Sequence, residues 1–437
     1  MITMAAKALY NPPVMGHWDL AVIGAGPAGF GAAVAAGRSG MKVILIEKAG
    51  RPGADRPAMF FGFDADGKQI VGGIPDEVVR RLDAEGYASL IPHGDYYIPD
   101  HARIGNRPLN GKVRFNYAAL AVIYNRMLRE ANVDCLYYSH VTDAVVEDGI
   151  VRSIYVSCLE GMVQIEADSF VDASGDAYLF RAAGAPVRHY GNDRNMHKTM
   201  TFTVSNVMPI DREFVEAYYH KLFEEGKTPS DVLESFGMSF GDLAGVAYIG
   251  TNKATGDAVD SRDMTRMDIE LREKALEMVD FLRREMPGFQ YCQLVGTKER
   301  VGVRSGAGIV GLETIDRELI DKEGYTDEPI VLIRRSYGFH SNDKRMAASF
   351  FTKLPGTSAV PMKALISPAL RNVVAAGRCL SSDGYTMGTF RMMSTCMATG
   401  VSAAHMTKLR IQNDTDYDGV PYSELRPILD RDGFILP

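Results

Sequence analysis

Short apolar runs alternate with helix-like segments along much of this chain. Strands are predicted at residues 20–23, 43–46, 170–172 and 373–376. The first and the last of these runs are each followed by a glycine-containing turn and then by a helix-like segment. This strand–turn–helix order predicts an α/β layer with a parallel sheet.

The middle of the chain has a different pattern. Residues 211–226 and 263–287 carry apolar side chains at helical spacing, which predicts two amphipathic helices. These apolar positions are Phe214, Val215, Tyr218, Tyr219, Leu222 and Phe223 in the first, and Met267, Leu271, Met278 and Leu282 in the second. With β-like runs at 200–204 and 330–333, we expect a distinct α+β module, roughly 190–350, inserted into the first fold.

Composition narrows the classes of function. The chain has 437 residues, 46% hydrophobic and 24% charged, and a net charge of −7, which argues against a nucleic-acid partner. Five cysteines without a CxxC pair predict neither disulfides nor a bound metal. No apolar run reaches the roughly 18 residues of a membrane span, and Pro12 and Pro13 interrupt the N-terminal segment before a signal peptide develops. We therefore expect a cytoplasmic protein without membrane insertion.

The most informative local motif follows the first predicted strand. It matches GxGxxG in the residues Gly24, Ala25, Gly26, Pro27, Ala28 and Gly29. In such a motif the first glycine permits a tight turn, the second lets a pyrophosphate approach the backbone, and the third lets helix and sheet pack closely. The helix N-terminus then offers free N–H groups and partial positive charge to the pyrophosphate.

Glu47 strengthens this interpretation. It directly follows the second predicted strand, where an acidic residue about 20 positions beyond the glycines binds ribose hydroxyls. Glycine-rich turns alone also occur by chance, but the complete strand–GxGxxG–helix–strand–Glu order predicts dinucleotide binding. The motif does not by itself distinguish FAD from NAD.

Two later segments carry a family resemblance. The first is a short strand that ends in Asp172 and continues as Ala173, Ser174, Gly175 and Asp176. The second runs from the strand at 373–376 through Gly377 and Arg378 to the segment GTFRMMSTCMATG at 388–400. Together with GxGxxG they resemble FAD-dependent oxidoreductases of the glutathione-reductase superfamily, in particular the fumarate-reductase-like and hydroxybenzoate-hydroxylase-like branch. The likeness covers about residues 17–190 and 290–410.

The resemblance implies a Rossmann-type FAD-binding domain, discontinuous in sequence, with an inserted α+β substrate domain. Its parts would be residues 17–190 and 351–437 for FAD, and 191–350 for the substrate or cap domain. It also implies FAD contacts from Val141, the 173–176 turn, Gly377, Arg378 and Ser394. We add Lys48, beside Glu47, and Arg56, in an altered glycine-rich segment. The sequence departs from the family's pattern at 304–308, where only Arg304 keeps a charge, and at Lys363. These departures leave the substrate contacts open.

Few side chains are candidates for catalysis. His340 follows a predicted strand and has a reference pKa near neutrality, which suits a base, although a loop histidine has the same appearance. Tyr385 and Arg391 flank the segment expected at the flavin, where Arg391 could hold a carboxylate or form a structural ion pair. A covalent flavin link at Cys379 is the less favoured alternative to a buried, inert thiol.

Three functions compete. The first is an FAD-dependent dehydrogenase or reductase that transfers hydride between the flavin and a small polar organic substrate. The second is a flavin monooxygenase that uses NAD(P)H transiently, and the third is a non-catalytic ligand-binding protein on the same scaffold. The intact FAD segments argue against the third. Only one dinucleotide fingerprint is present, which argues against a tightly held nicotinamide, and self-association into a homo-oligomer stays open.

Overall fold

The computed structural model describes most of the chain. The described residues are 12–53, 59–61, 70–89, 112–190, 196–234, 236, 238–240, 245–322, 326–339 and 350–437.

The strands are, in chain order, β1 (Val14–Ile23), β2 (Val43–Ile46), β3 (Met59–Phe61), β4 (Ala88–Ser89), β5 (Lys112–Phe115), β6 (Asp134–Leu136), β7 (His140–Glu147), β8 (Ile150–Cys158), β9 (Gly161–Asp172), β10 (Val187–His189), β11 (Phe202–Ser205), β12 (Met238–Phe240), β13 (Ala247–Ile249), β14 (Gln293–Thr297), β15 (Ala307–Ile309), β16 (Pro329–Phe339), β17 (Phe350–Pro361) and β18 (Val373–Ala375).

The α-helices are α1 (Pro27–Arg38), α2 (Ile74–Ala84), α3 (Tyr117–Glu130), α4 (Tyr178–Ala182), α5 (Arg212–Glu224), α6 (Ser261–Glu285), α7 (Arg317–Asp321), α8 (Met387–Phe390), α9 (Met393–Gln412) and α10 (Tyr422–Arg431). Short 3-10 turns cover Met362–Leu365, Gly377–Cys379 and Tyr417–Gly419.

A central sheet carries the first fold. In the described part of the chain its strand order is β6-β2-β1-β9-β8-β7, with β18 also paired to β9. The pairs β6–β2, β2–β1, β1–β9 and β9–β18 are parallel, whereas β7, β8 and β9 form an antiparallel meander. Every residue of β2 and β18 is buried, as expected of parallel strands covered on both faces.

Two helices cross closely behind this sheet, and glycines permit the approach. A Cβ at Gly400 of α9 would lie 1.9 Å from the Ala28 carbonyl oxygen of α1. A Cβ at Gly31 of α1 would lie 2.3 Å from the carbonyl oxygen of Met397. The small-residue character of both helices therefore sets the packing distance between the first and last parts of the fold.

The middle of the chain forms a second sheet with its own core. The strand order is β12-β13-β11-β14, all antiparallel. A separate apolar cluster fills this module between the sheet, α5 and α6. Side chains of Asp211 and Asp260 cap the two helices by accepting backbone N–H groups, which fixes where each helix begins.

The predicted fold class is confirmed: the structure is α/β, with a parallel-strand sheet and an α+β module within it. The four predicted strands correspond to β1, β2, β9 and β18, and the two helices to α5 and α6. In α6 all four predicted apolar side chains are buried. In α5 the expectation is wrong for Phe214, which is 51% exposed because the buried side follows Val215, Tyr219 and Leu222.

Candidate functional site

The turn between β1 and α1 has the geometry that the glycine pattern predicts. Gly24 has φ +95°, a conformation that favours glycine. A Cβ at Gly29 would lie 1.7 Å from the Gly24 carbonyl oxygen and 3.3 Å from the Ala173 Cβ. The first and third glycines are therefore required by the backbone itself, whatever the turn binds.

The second glycine differs from its neighbours. A Cβ at Gly26 would meet no atom of the described residues within 4 Å, so within the described part of the chain open space lies in front of the N-terminus of α1. Pro27 occupies the first helical turn, and no side chain caps the helix at Gly26. An uncapped helix N-terminus that faces open space fits a pyrophosphate.

Glu47 lies at the end of β2 against this turn and is 9% exposed. Its Oε2 accepts the Ala25 N–H at 2.8 Å, and its Oε1 accepts the Ala49 N–H at 2.8 Å. Arg300 comes from the middle of the chain and places its Nη1 3.6 Å from Oε1. The two backbone bonds fix the carboxylate at the position where the sequence predicts ribose binding.

Val141, which the resemblance implies as an FAD contact, lies at the start of β7. Val141 is buried, and the neighbouring His140 places Nε2 3.1 Å from the Tyr178 hydroxyl. Burial and, to a smaller extent, the charge of Lys48 lower the pKa of His140. Lys48 itself is exposed, so its role in cofactor binding stays a prediction.

The 172–176 turn is organised by a buried carboxylate that sequence reasoning did not select. Asp172 is 0% exposed and accepts the N–H groups of Ser174 and Leu179 at 3.0 and 2.8 Å. The Ser174 hydroxyl donates to the same side chain at 2.6 Å. Burial raises the pKa of Asp172, against these hydrogen bonds. Its chemistry is structural, since it satisfies the turn that leads from β9 to α4.

Two predicted site residues from distant parts of the chain form a bidentate ion pair. Arg378 Nη1 and Nη2 donate to the two Asp176 carboxylate oxygens at 2.7 and 2.9 Å. A Cβ at Gly306 would lie 1.8 Å from Asp176 Oδ1. The absence of a side chain at Gly306 thus makes room for this pair.

The last predicted cofactor segment is adjacent to the first. Gly377 has φ +81°, and a Cβ there would lie 2.8 Å from the Ala28 Cβ. The Gly377 N–H donates to the Thr399 hydroxyl at 3.0 Å, and Ser394 is buried in the first turn of α9. The structure therefore brings Gly377 and α9 to the N-terminus of α1.

The structure describes two of the three catalytic candidates, Tyr385 and Arg391. His340, like the cofactor candidate Arg56, lies outside the described residues. Tyr385 is partly buried, with the Arg317 guanidinium 5.8 Å from its ring centroid. Arg391 directly follows α8 and lies near enough to the buried Cys396 for its charge to act on that thiol. Their catalytic roles stay predictions.

The thiol at Cys379 is buried, and burial raises its pKa. Its Sγ donates to the Asp172 carbonyl oxygen at 3.4 Å, which fits the inert thiol rather than a covalent link. Across the described ranges, no group of three or more His, Cys, Asp or Glu side chains is arranged to hold a metal ion. In the same part of the chain, no helix combines the length and apolar character needed to span a membrane.

Sequence reasoning missed one charged residue close to the ion pair. Lys198 is 0% exposed and interacts electrostatically with both Arg378 and Asp176. A lysine just before the β-like run at 200–204 was its only signal in the sequence.

Three features together define a dinucleotide-binding protein. They are a parallel sheet, a glycine turn that opens onto the N-terminus of a helix, and an acidic residue at the end of the next strand. The family model for FAD dependent oxidoreductases matches residues 19–429. The chain therefore belongs to the FAD dependent oxidoreductase family, and its cofactor is FAD. The open N-terminus of α1 and the fixed carboxylate of Glu47 fit this cofactor.

Solved structures are similar to this chain at low sequence identity. A geranylgeranyl bacteriochlorophyll reductase-like protein from Thermoplasma acidophilum is similar with a TM-score of 0.50 and 14% identity, over 95% of this chain and 83% of that one. The p-nitrophenol 4-monooxygenase PnpA from Pseudomonas putida DLL-E4 is similar with a TM-score of 0.47 and 13% identity, over 96% and 84% of the two chains. No curated protein sequence matches this chain significantly.

Proposed function

We propose that this oxidoreductase transfers hydride between FAD and a small polar organic substrate, as a dehydrogenase or reductase. The observation that carries the proposal is a contact between the inserted module and the predicted FAD-binding part of the chain. At this contact Gly306 of the module packs against Asp176. A module seated there can hold a substrate beside the flavin. We also propose the glutathione-reductase superfamily as the wider group, and the division at 17–190, 191–350 and 351–437 as its domains.

FAD supplies the redox chemistry when bound. The chain's own residues would bind and orient FAD. The N-terminus of α1 would bind the pyrophosphate, and Glu47 would bind the ribose. The 173–176 turn and Arg378 would contact the remainder of the cofactor. The bidentate Asp176–Arg378 pair fixes the relative position of two segments that would meet at the cofactor. Arg391 and Tyr385 would orient the substrate, and His340 would hold or move a proton.

Anaerobic spectroscopy tests this function. The purified protein should show flavin absorbance, and a screen of small hydroxy, amino and unsaturated acids should contain compounds that bleach it or reoxidise the reduced form. NADPH alone should not bleach it rapidly. Rapid bleaching by NADPH with consumption of oxygen would identify a monooxygenase instead. A protein that purifies without flavin, and does not take up added FAD, would contradict both functions.

A further inference from the structure

An ion pair joins the inserted module to the ribose end of the predicted cofactor site. Arg300 follows β14 of the module's sheet, and its Nη1 lies 3.6 Å from Glu47 Oε1. Glu47 follows β2 of the central sheet, so the pair connects segments that are remote in sequence. The module therefore brings a charged side chain to the acid that the glycine pattern assigns to the ribose.

The backbone on both sides of Arg300 is held in place. The N–H groups of Lys298 and Gly302 donate to carbonyl oxygens of the 199–201 segment at 2.9 and 2.7 Å. An α6 side chain also donates to the Glu299 carbonyl oxygen at 3.2 Å. The folding of the module itself therefore fixes the position from which the guanidinium extends.

Glu47 keeps acceptor capacity for a ribose hydroxyl. Its two oxygens each accept one backbone N–H, from Ala25 and from Ala49, at 2.8 Å. An ionised carboxylate has about four acceptor sites, so each oxygen can accept one further hydrogen bond. The 3.6 Å separation from Arg300 is that of an ion pair rather than of a hydrogen bond. Arg300 therefore acts on the carboxylate through its charge and does not occupy the acceptor site that a hydroxyl group would use.

The two side chains of this pair differ in exposure. The Glu47 side chain is 10% exposed and the Arg300 side chain is 37% exposed. A buried carboxylate charge is costly unless hydrogen bonds and opposite charge compensate for it, and Arg300 supplies opposite charge. Water screens the pair from the side of the arginine, so we expect its contribution to be moderate.

We propose that Arg300 is a positioning residue for FAD, which acts through Glu47 on the 2′-hydroxyl of the adenosine ribose. The inference rests on the ribose-binding role that the proposed function gives to Glu47, but not on the reaction at the flavin. A guanidinium beside the carboxylate keeps it charged and in one orientation, and a hydroxyl group donates more strongly to a charged acceptor than to a neutral one. The inserted module thereby takes part in binding the cofactor as well as the substrate.

The alternative is an ion pair that only fastens the module to the central sheet. The module already has a contact of that kind, in which Arg181 Nη2 of α4 donates to the Val259 carbonyl oxygen at 3.4 Å. Arg300 differs because its partner is the acid at the position that binds ribose hydroxyls in dinucleotide-binding folds. The two roles predict a different dependence on the 2′-hydroxyl of the ligand.

Titrations of the full chain, freed of flavin, with FAD and with an FAD analogue test the proposal. In the analogue the adenosine carries 2-deoxyribose in place of ribose. The unmodified protein should prefer FAD about 10-fold or more, as loss of a hydrogen bond to a charged group predicts. Arg300→Gln should weaken the binding of FAD roughly 3-fold more than that of the analogue, within the range for partly exposed ion pairs. Arg300→Lys keeps the charge and should retain most of the preference.

Arg283→Gln is the matched control. Arg283 lies on α6 of the same module, its side chain is 42% exposed, and its Nη1 lies 3.3 Å from Asp280 Oδ1. Exposure and ion-pair distance are therefore close to those of Arg300, but the partner is not a predicted cofactor residue. This variant should bind FAD like the unmodified protein and keep the same preference over the analogue.

Three outcomes would overturn the proposal: no preference of the unmodified protein for FAD over the analogue, unchanged or tighter FAD binding in Arg300→Gln, or equal weakening of both ligands in that variant. The last would assign the pair to the attachment of the module alone. If Arg300→Gln does not fold, Arg300→Met provides the same comparison. The titrations need no substrate, so failure of the proposed hydride transfer is recognised separately.

Discussion

The cofactor cradle and a pair of buried cations are built in different ways. The cradle is a matter of backbone: Gly24, Gly29 and Gly377 each hold a conformation or a contact that leaves no room for a side chain. The buried cations depend on side chains instead: Lys198 and Arg304 come from segments that are remote in sequence from Asp176 and Arg378, whose charges act on Lys198. The backbone restricts substitution at the three glycines, whereas the charged group depends on which side chains the distant segments supply.

The largest effect is expected at Gly29. In Gly29→Ala the added Cβ would lie 1.7 Å from the Gly24 carbonyl oxygen, and the turn would have to move. We expect a loss of about 3 kcal/mol or more in the free energy of unfolding, at the upper end for overpacking. Denaturant titration of the flavin-free protein measures it. Wild-type stability in this variant would mean that the turn is not tightly packed.

The next effect is expected at the Asp176–Arg378 ion pair of the predicted FAD-binding part. Asp176→Asn leaves Arg378 with a neutral partner in a largely buried position. We expect about 2 kcal/mol of destabilisation, less than the value for a fully buried pair because both side chains keep some exposure. Combining it with Arg378→Met should recover part of the loss. Equal unfolding midpoints for the single variant and the unmodified protein would show that the pair contributes nothing.

Gly26→Val distinguishes binding from folding. Gly26 has φ −65° and ψ −178°, which any residue can adopt, and its Cβ position is open. We expect an unchanged unfolding midpoint without flavin, but FAD binding weakened on the order of 10- to 100-fold because the valine occupies the pyrophosphate position. A Gly26→Val variant with a normal FAD content would show that the pyrophosphate does not bind at the N-terminus of α1.

The smallest effect is expected from pH. The folded protein holds the Lys198 proton less tightly than the unfolded chain does, because its pKa falls from 10.5 to about 8. The free energy of unfolding should therefore rise between about pH 8 and 10.5, as the buried charge is lost. Lys198→Met should lack this contribution and should therefore be more stable than the unmodified protein at pH 7. A stability difference that does not change with pH would contradict the assignment.

The two regions also differ in how far sequence predicts them. Gly24, Gly26, Gly29 and Glu47 follow one another at a spacing that the fold itself imposes, so a local pattern was enough to find them. Lys198 carries no comparable local signal, because its environment is created by segments that are remote in sequence. Asp172 was read only as the end of a strand. Its burial emerges from the packing of β9 against β1 and β18. Its hydrogen bonds come from Ser174 in the turn and from Leu179 and Phe180 of α4.

The glycine turn at 24–29 and the N-terminus of α1 should together bind FAD. The most direct measurement is the identity and amount of flavin released when the purified protein is denatured, determined by chromatography and absorbance. We expect FAD, close to one equivalent per chain, released without proteolysis. Absence of flavin even after incubation with FAD, or release of FMN in its place, would contradict it.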